Sequence, residues 1–129
     1  MDGQDPNAMI LEVGRMVIED PEYRDDRWQK IALVATMGDG QREITGYQYF
    51  ADGGFEAAAP EEFGAILRKL RDLRNMMESA NGDLWKQCLI QITKPDYDVK
   101  IQFEYDDAER WSPKEISLDM SAFANAIRP

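Results

Sequence analysis

The chain has 129 residues, a single cysteine, no histidine, and 15 basic against 25 acidic side chains, for a net charge of −10. That length suits one domain over residues 1–129 with a core of its own, and it excludes a multidomain enzyme. Without histidine, Ser–His and Cys–His nucleophilic chemistry, histidine metal ligation and the usual near-neutral proton shuttle are removed, while a lone Cys88 rules out an intrachain disulfide and a cysteine-rich zinc cluster.

The opening Met1-Asp2-Gly3-Gln4-Asp5-Pro6 is acidic and reads as mobile over residues 1–5. It carries no signal-peptide pattern, and no apolar run approaches membrane-spanning length, so a cytoplasmic location is expected. Asp5 is placed to cap a helix with Pro6 at its first position, and Ile10, Val13, Met16 and Val17 recur at helical spacing until Pro21. The connection from Glu19 to Arg27 holds five carboxylates and Tyr23, and suits a solvated loop.

Trp28 to Met37, with the run Ile31-Ala32-Leu33-Val34-Ala35, predicts a strand, and Gly38-Asp39-Gly40 a hairpin turn. Ile44, Thr45, Tyr47, Tyr49 and Phe50 form a second strand, closed by Asp52-Gly53-Gly54. Pro60, Glu61 and Glu62 open the strongest helix, whose stripe is Phe63, Ile66, Leu67, Leu70, Leu73 and Met77 and whose stop is Asn81-Gly82. Arg74 falls inside that stripe, which periodicity does not explain.

Residues 84–93 predict a third strand with one better-buried face, and Lys94-Pro95-Asp96 a turn. In the fourth, Tyr97, Val99, Ile101, Phe103 and Tyr105 alternate with Asp98, Lys100, Gln102 and Glu104, so one side is core and the other wet. A short helix follows from about Asp119 through Phe123 and Ile127. The expected fold is α+β, an antiparallel four-stranded sheet covered on one face by helices, in the order α-β-β-α-β-β-α.

The glycine clusters lack the lysine and hydroxyl residues of a phosphate-binding loop and read as turns. Cys88 reads as a small buried hydrophobe, and Asp106 and Asp107, adjacent at a strand end, point apart and make a poor acid–base or metal pair. The basic run Arg68, Lys69, Arg71 and Arg74 is balanced by Glu61, Glu62, Asp72 and Glu78, which disfavours a nucleic-acid site. What stands out is residues 95–111, with six acids, two bases, Tyr97, Tyr105 and Trp111. Acids steer a basic protein and aromatic rings supply short-range energy. The bland alternative is that these rings are core and these acids merely solubilise.

Leu67-Arg68-Lys69-Leu70-Arg71 on a helix, Gly82-Asp83-Leu84-Trp85 before a strand, and Val99 through Tyr105-Asp106-Asp107 at the end of a hairpin together resemble the YezG-like family of bacterial antitoxin and immunity proteins. Trp28 opening a strand and Tyr47-Gln48-Tyr49-Phe50 fit the same pattern, so the resemblance spans residues 8–111. The turn at Lys94-Pro95-Asp96-Tyr97 and the segment after Trp111 depart from it. The resemblance implies no enzyme and no cofactor or metal. It implies an immunity protein that neutralises a cognate polymorphic toxin of interbacterial competition, most often a basic nuclease domain, by stoichiometric occlusion. No direct contact with nucleic acid or membrane is expected. The polar contacts expected are Asp98, Gln102, Glu104, Asp106, Asp107 and Glu109, with Tyr97 and Trp111 as anchors; a second acidic surface is Glu22, Tyr23, Asp25 and Asp26. The alternative functions are an acidic adaptor or secretion chaperone for a basic partner, and a small carboxylate-dependent hydrolase using Glu104, Asp106 and Asp107.

Overall fold

A computed structural model of the chain describes residues 6–24, 27–38, 41–107, 109–112 and 121–129. The expectations placed on residues 1–5, Asp25, Asp26, Asp39, Gly40 and Asp119 lie outside the described residues.

The apolar run of the first strand decides the architecture. β1 (Trp28–Gly38) is buried at every position from Ile31 to Met37, because it lies at the centre of the sheet and both its faces are covered. A strand wet on one face would alternate; a doubly covered one is continuously apolar. β2 (Gln41–Phe50) pairs antiparallel on one side of it, Leu33 opposite Gly46, and β4 (Gln87–Thr93) on the other, Leu33 opposite Ile90. β5 (Asp98–Glu104) pairs with β4, Ile90 opposite Ile101.

The first face packs Ile31, Leu33, Ala35, Cys88, Ile90 and Ile92 against two helices. α1 (Pro6–Ile18) contributes Met9, Val13 and Val17, and α2 (Phe63–Asn81) contributes Ile66, Leu67, Leu70 and Leu73. Gly14 lets α1 approach β5: a Cβ there would stand 2.7 Å from Val99 Cγ2. Gly82 ends α2 with φ +86, and its amide donates to the Glu78 carbonyl at 2.7 Å.

The expected four-stranded sheet is corrected to five strands, ordered β3-β2-β1-β4-β5 and antiparallel throughout, with the elements running α-3₁₀-β-β-β-α-β-β-α. The extra strand, β3 (Phe55–Ala57), is three residues long and pairs Phe55 with Tyr49 and Ala57 with Tyr47. Asp52-Gly53-Gly54 is therefore the turn of a second hairpin rather than the close of the sheet, with Gly53 at φ +89 and the Phe50 amide donating to the Gly54 carbonyl. Three residues carry too little alternation to announce a strand.

The expected single helical cover is corrected as well. Trp111, Ala124 and Ile127 lie on the second face with Ala32, Val34, Tyr47, Tyr49 and Leu89; Ala124 belongs to α3 (Ser121–Ala126) and Ile127 is the residue after it. β4 is consequently buried on both faces from Gln87 to Ile90.

Two further local readings change. α2 starts at Phe63, three residues after Pro60, and Phe63 itself is 55% exposed rather than core. The turn leading into α2 is held from a distance: buried Asp20 accepts from the Glu61 amide at 2.8 Å and the Glu62 amide at 2.9 Å, while also accepting from the Glu22 amide at the start of a 3₁₀ turn (Pro21–Tyr23). Arg74 stays half-buried because its Nε donates to the Trp85 carbonyl at 2.6 Å and its guanidinium lies 5.9 Å from the Trp85 ring centroid.

Candidate partner-binding surface

β5 is an edge strand, and its second-face residues Asp98, Lys100 and Gln102 are exposed. At about 3.3 Å per residue, Asp98 and Glu104 stand about 20 Å apart along it. The sequence-nominated residues therefore form a row along one strand with a cluster at either end, rather than one patch.

At the first end the chain turns through residues 94–97. Tyr97 adopts φ +55, a left-handed conformation that costs a residue with a Cβ about 1–2 kcal/mol. Its ring remains 43% exposed and meets Trp28 edge-on, with centroids 6.0 Å apart. Lys94 Nζ sits 4.0 Å from the centroid of the same Trp28 ring. Tyr97 is thus a ring pinned on one side and open on the other, as an anchor requires. Asp96 and Asp98 flank it, both exposed and neither paired with a cation among the described residues.

At the far end, Glu104 is engaged by its own turn. Its carboxylate accepts from the amides of Asp106 and Asp107, each at 3.0 Å, and from Arg110 Nη1 at 2.8 Å. The Asp107 amide, then the Arg110 hydrogen bond and the Asp106 amide, hold its carboxyl below the usual range. Glu104 is better described as the clasp of this turn than as a free contact. Asp106 and Asp107 are exposed, the latter accepting from the Glu109 amide at 2.9 Å, and Glu109 is exposed beside them.

Trp111 is corrected from anchor to core. Only 8% of it is exposed, and its amide donates to buried Gln87 Oε1 at 2.8 Å. Gln87 Nε2 in turn donates to Thr36 Oγ1 and Ser112 Oγ at 2.9 and 3.0 Å, so every polar group of this buried amide is used to fix the 111–112 segment to the sheet. Tyr105 is half-buried against the first-face core. The second acidic surface also loses its ring. Tyr23 is buried, its hydroxyl donates to the Ala58 carbonyl at 2.8 Å, and burial followed by Asp20 and Glu22 pushes its phenol up; Glu22 is half-buried, and Asp25 and Asp26 lie outside the described residues.

Burial pushes the Cys88 thiol up to about 12 despite a backbone hydrogen bond at Ala35, which keeps it protonated near neutrality. No group of three or more His, Cys, Asp or Glu arranged to hold a metal occurs among the described residues, and no helix among them is long and apolar enough to cross a membrane. A shallow groove of about 370 Å³ runs between β2 and α2, lined by Arg42, Glu43, Ile44, Ala59, Phe63 and Leu67. It lies on the other side of β1 from the acidic row. Sequence reasoning passed over Asp96 as a turn residue; Lys100, which it placed on the wet side of the strand, sets a cation in the middle of the row.

No protein-family model matches the chain, and no curated protein matches its sequence.

Proposed function

We propose that this chain is an immunity protein of the YezG-like kind, which binds a basic bacterial toxin and neutralises it by stoichiometric occlusion. The observation that carries the reading is the pair of exposed carboxylates at Asp96 and Asp98 flanking an exposed, backbone-strained Tyr97, with exposed Asp106 at the other end of β5 beside the Lys86 ammonium, on a chain of net charge −10. Exposed acids along a sheet edge give long-range steering toward a cationic cleft and occupy it where phosphates would sit, while one pinned ring supplies short-range energy. Its work is binding, in the cytoplasm of the cell it protects, and Asp107 and Glu109 extend the acidic surface.

The test is co-expression with the toxin domain encoded beside the gene. The wild-type chain is expected to restore growth and to form a 1:1 complex whose association slows as salt is raised. The variant Asp98→Lys/Asp106→Lys is expected to fold normally, since both sites are exposed, and to bind at least ~10-fold more weakly. Binding without restored growth would favour the adaptor or secretion chaperone.

A further inference from the structure

The hydrogen-bonding groups of β5 have a direction. The Lys86 amide donates to the Glu104 carbonyl at 2.7 Å, so Glu104 turns its backbone groups toward β4. Successive residues of a strand alternate, and the β4–β5 register runs without a shift from Gln87↔Glu104 to Thr93↔Asp98. Gln102, Lys100 and Asp98 therefore also bond to β4, and the N–H and C=O groups of Val99, Ile101 and Phe103 point out of the sheet. No strand among the described residues lies beyond β5.

The side chains flanking this open edge are of two kinds. On the first face Val99, Ile101 and Phe103 are only half-buried, although they pack on the core. On the second face Asp98, Lys100, Gln102 and Glu104 are continued by Asp96 and Asp106; Arg110 pairs with Glu104 and the Lys86 ammonium bonds the Asp106 carbonyl, so the acids without such a partner among the described residues, Asp96 and Asp98, stand at the Tyr97 end. A strand added here would satisfy the outward backbone groups, finish burying the apolar strip with every second side chain, and set the others beside the acidic row.

We propose that β5 is the docking strand for an extended basic segment of the partner protein, which adds a sixth strand with apolar and cationic residues in alternation. A second copy of the chain fits poorly. Pairing β5 with itself antiparallel sets Asp98 opposite Glu104 when Ile101 faces Ile101 and Lys100 against itself when Lys100 is central; when Gln102 faces Gln102, Asp98 meets Asp106, and Lys100 meets a Glu104 that already accepts from Arg110. The inference rests on the reading that the chain binds a cationic protein, and specifies how.

The experiment follows backbone amide exchange of the full-length chain with a capped eight-residue peptide of alternating lysine and valine. The amides of Val99, Ile101 and Phe103 are expected to slow at least ~10-fold at saturation, while those of Lys100 and Gln102, already paired, do not change. The same peptide methylated on its backbone nitrogens keeps the charge and loses the donors, and is expected to leave all three unprotected. Asp98→Lys/Gln102→Lys, on exposed positions, is expected to raise the peptide Kd at least ~10-fold. Equal binding of the methylated peptide, protection on β3 instead, or protection that grows with protein concentration alone would each overturn the proposal. Intact growth rescue without edge protection would sink this inference and leave the immunity reading standing; edge protection without rescue would do the reverse.

Discussion

The two faces of the sheet are closed by different means. On the first, α1 and α2 bring continuous apolar stripes onto Ile31, Leu33, Ile90 and Ile92, and the seal is side-chain packing. On the second, Trp111, Phe123, Ala124 and Ile127 among the described residues are accompanied by polar ties from the sheet to the backbone of the same segments. The Tyr49 hydroxyl donates to the Ala124 carbonyl at 2.6 Å, Gln91 Nε2 to the Ile127 carbonyl at 3.0 Å, Lys30 Nζ to the Pro129 carbonyl at 3.3 Å, and Gln87 accepts from Trp111. A short segment without a repeating stripe cannot hold itself by burial alone, so the sheet supplies donors and acceptors to catch it. The phenol of Tyr49, pushed up to about 12 by burial against the opposing pull of Arg128, stays a donor at all ordinary pH.

This contrast predicts a difference in kind as well as in size. Leu70→Ala removes a fully buried side chain between α2 and the sheet and is expected to cost ~2–5 kcal/mol of global stability. A urea titration would show it, with the exchange of all core amides accelerated together; a loss confined to α2 would contradict a shared first-face core.

Gln87→Leu strands the Trp111 amide and is expected to cost ~1–3 kcal/mol. Here the effect should be local. Exchange at Trp111 and Ile127 should quicken while Ile90 keeps its protection, and uniform loosening of both faces would erase the distinction.

The smallest effect belongs to the rim. Glu104→Gln removes the charge that clasps the 104–110 turn, and the folded carboxyl of Glu104 is held below its unfolded value. The stability it contributes is therefore present above the unfolded pKa of about 4.3 and fades as pH falls through the lower folded value. Urea midpoints of wild type and variant should differ at neutral pH and converge in acid. A gap that persisted at low pH would mean the turn is not held by the carboxylate.

Much of the scaffold was legible before any coordinates. Helix stripes, the alternation of Val99, Ile101 and Phe103 with polar neighbours, and the stop at Gly82 are local patterns, and local geometry reproduces them. Of the nominated contacts, Asp98 and Gln102 lie on the surface as the polar side of that alternation implies, and Asp106, Asp107 and Glu109 are exposed in the turn beyond the strand. Tyr97 was assigned to the core side of β5 by parity, but the left-handed turn residue at its position takes it out of the strand. Trp111 and Glu104 could not be sorted from their neighbours by type. A tryptophan reads alike whether it fills a second-face core or waits for a partner, and a glutamate reads alike whether it is free or clasped.

By itself, then, the amino-acid sequence determined the periodic elements, the acidity of the 95–111 stretch and the exclusion of histidine-dependent chemistry, because each is a property of a residue or of its near neighbours. Only the tertiary structure decided that β1 is covered on both faces, that Asp20 holds the turn before α2 from 41 residues away, and that β5 lies at the edge of the sheet with the backbone groups of Val99, Ile101 and Phe103 turned away from β4. Those facts depend on which distant segments meet, and the free energy that selects among such meetings is shared by the whole core rather than written at any one position.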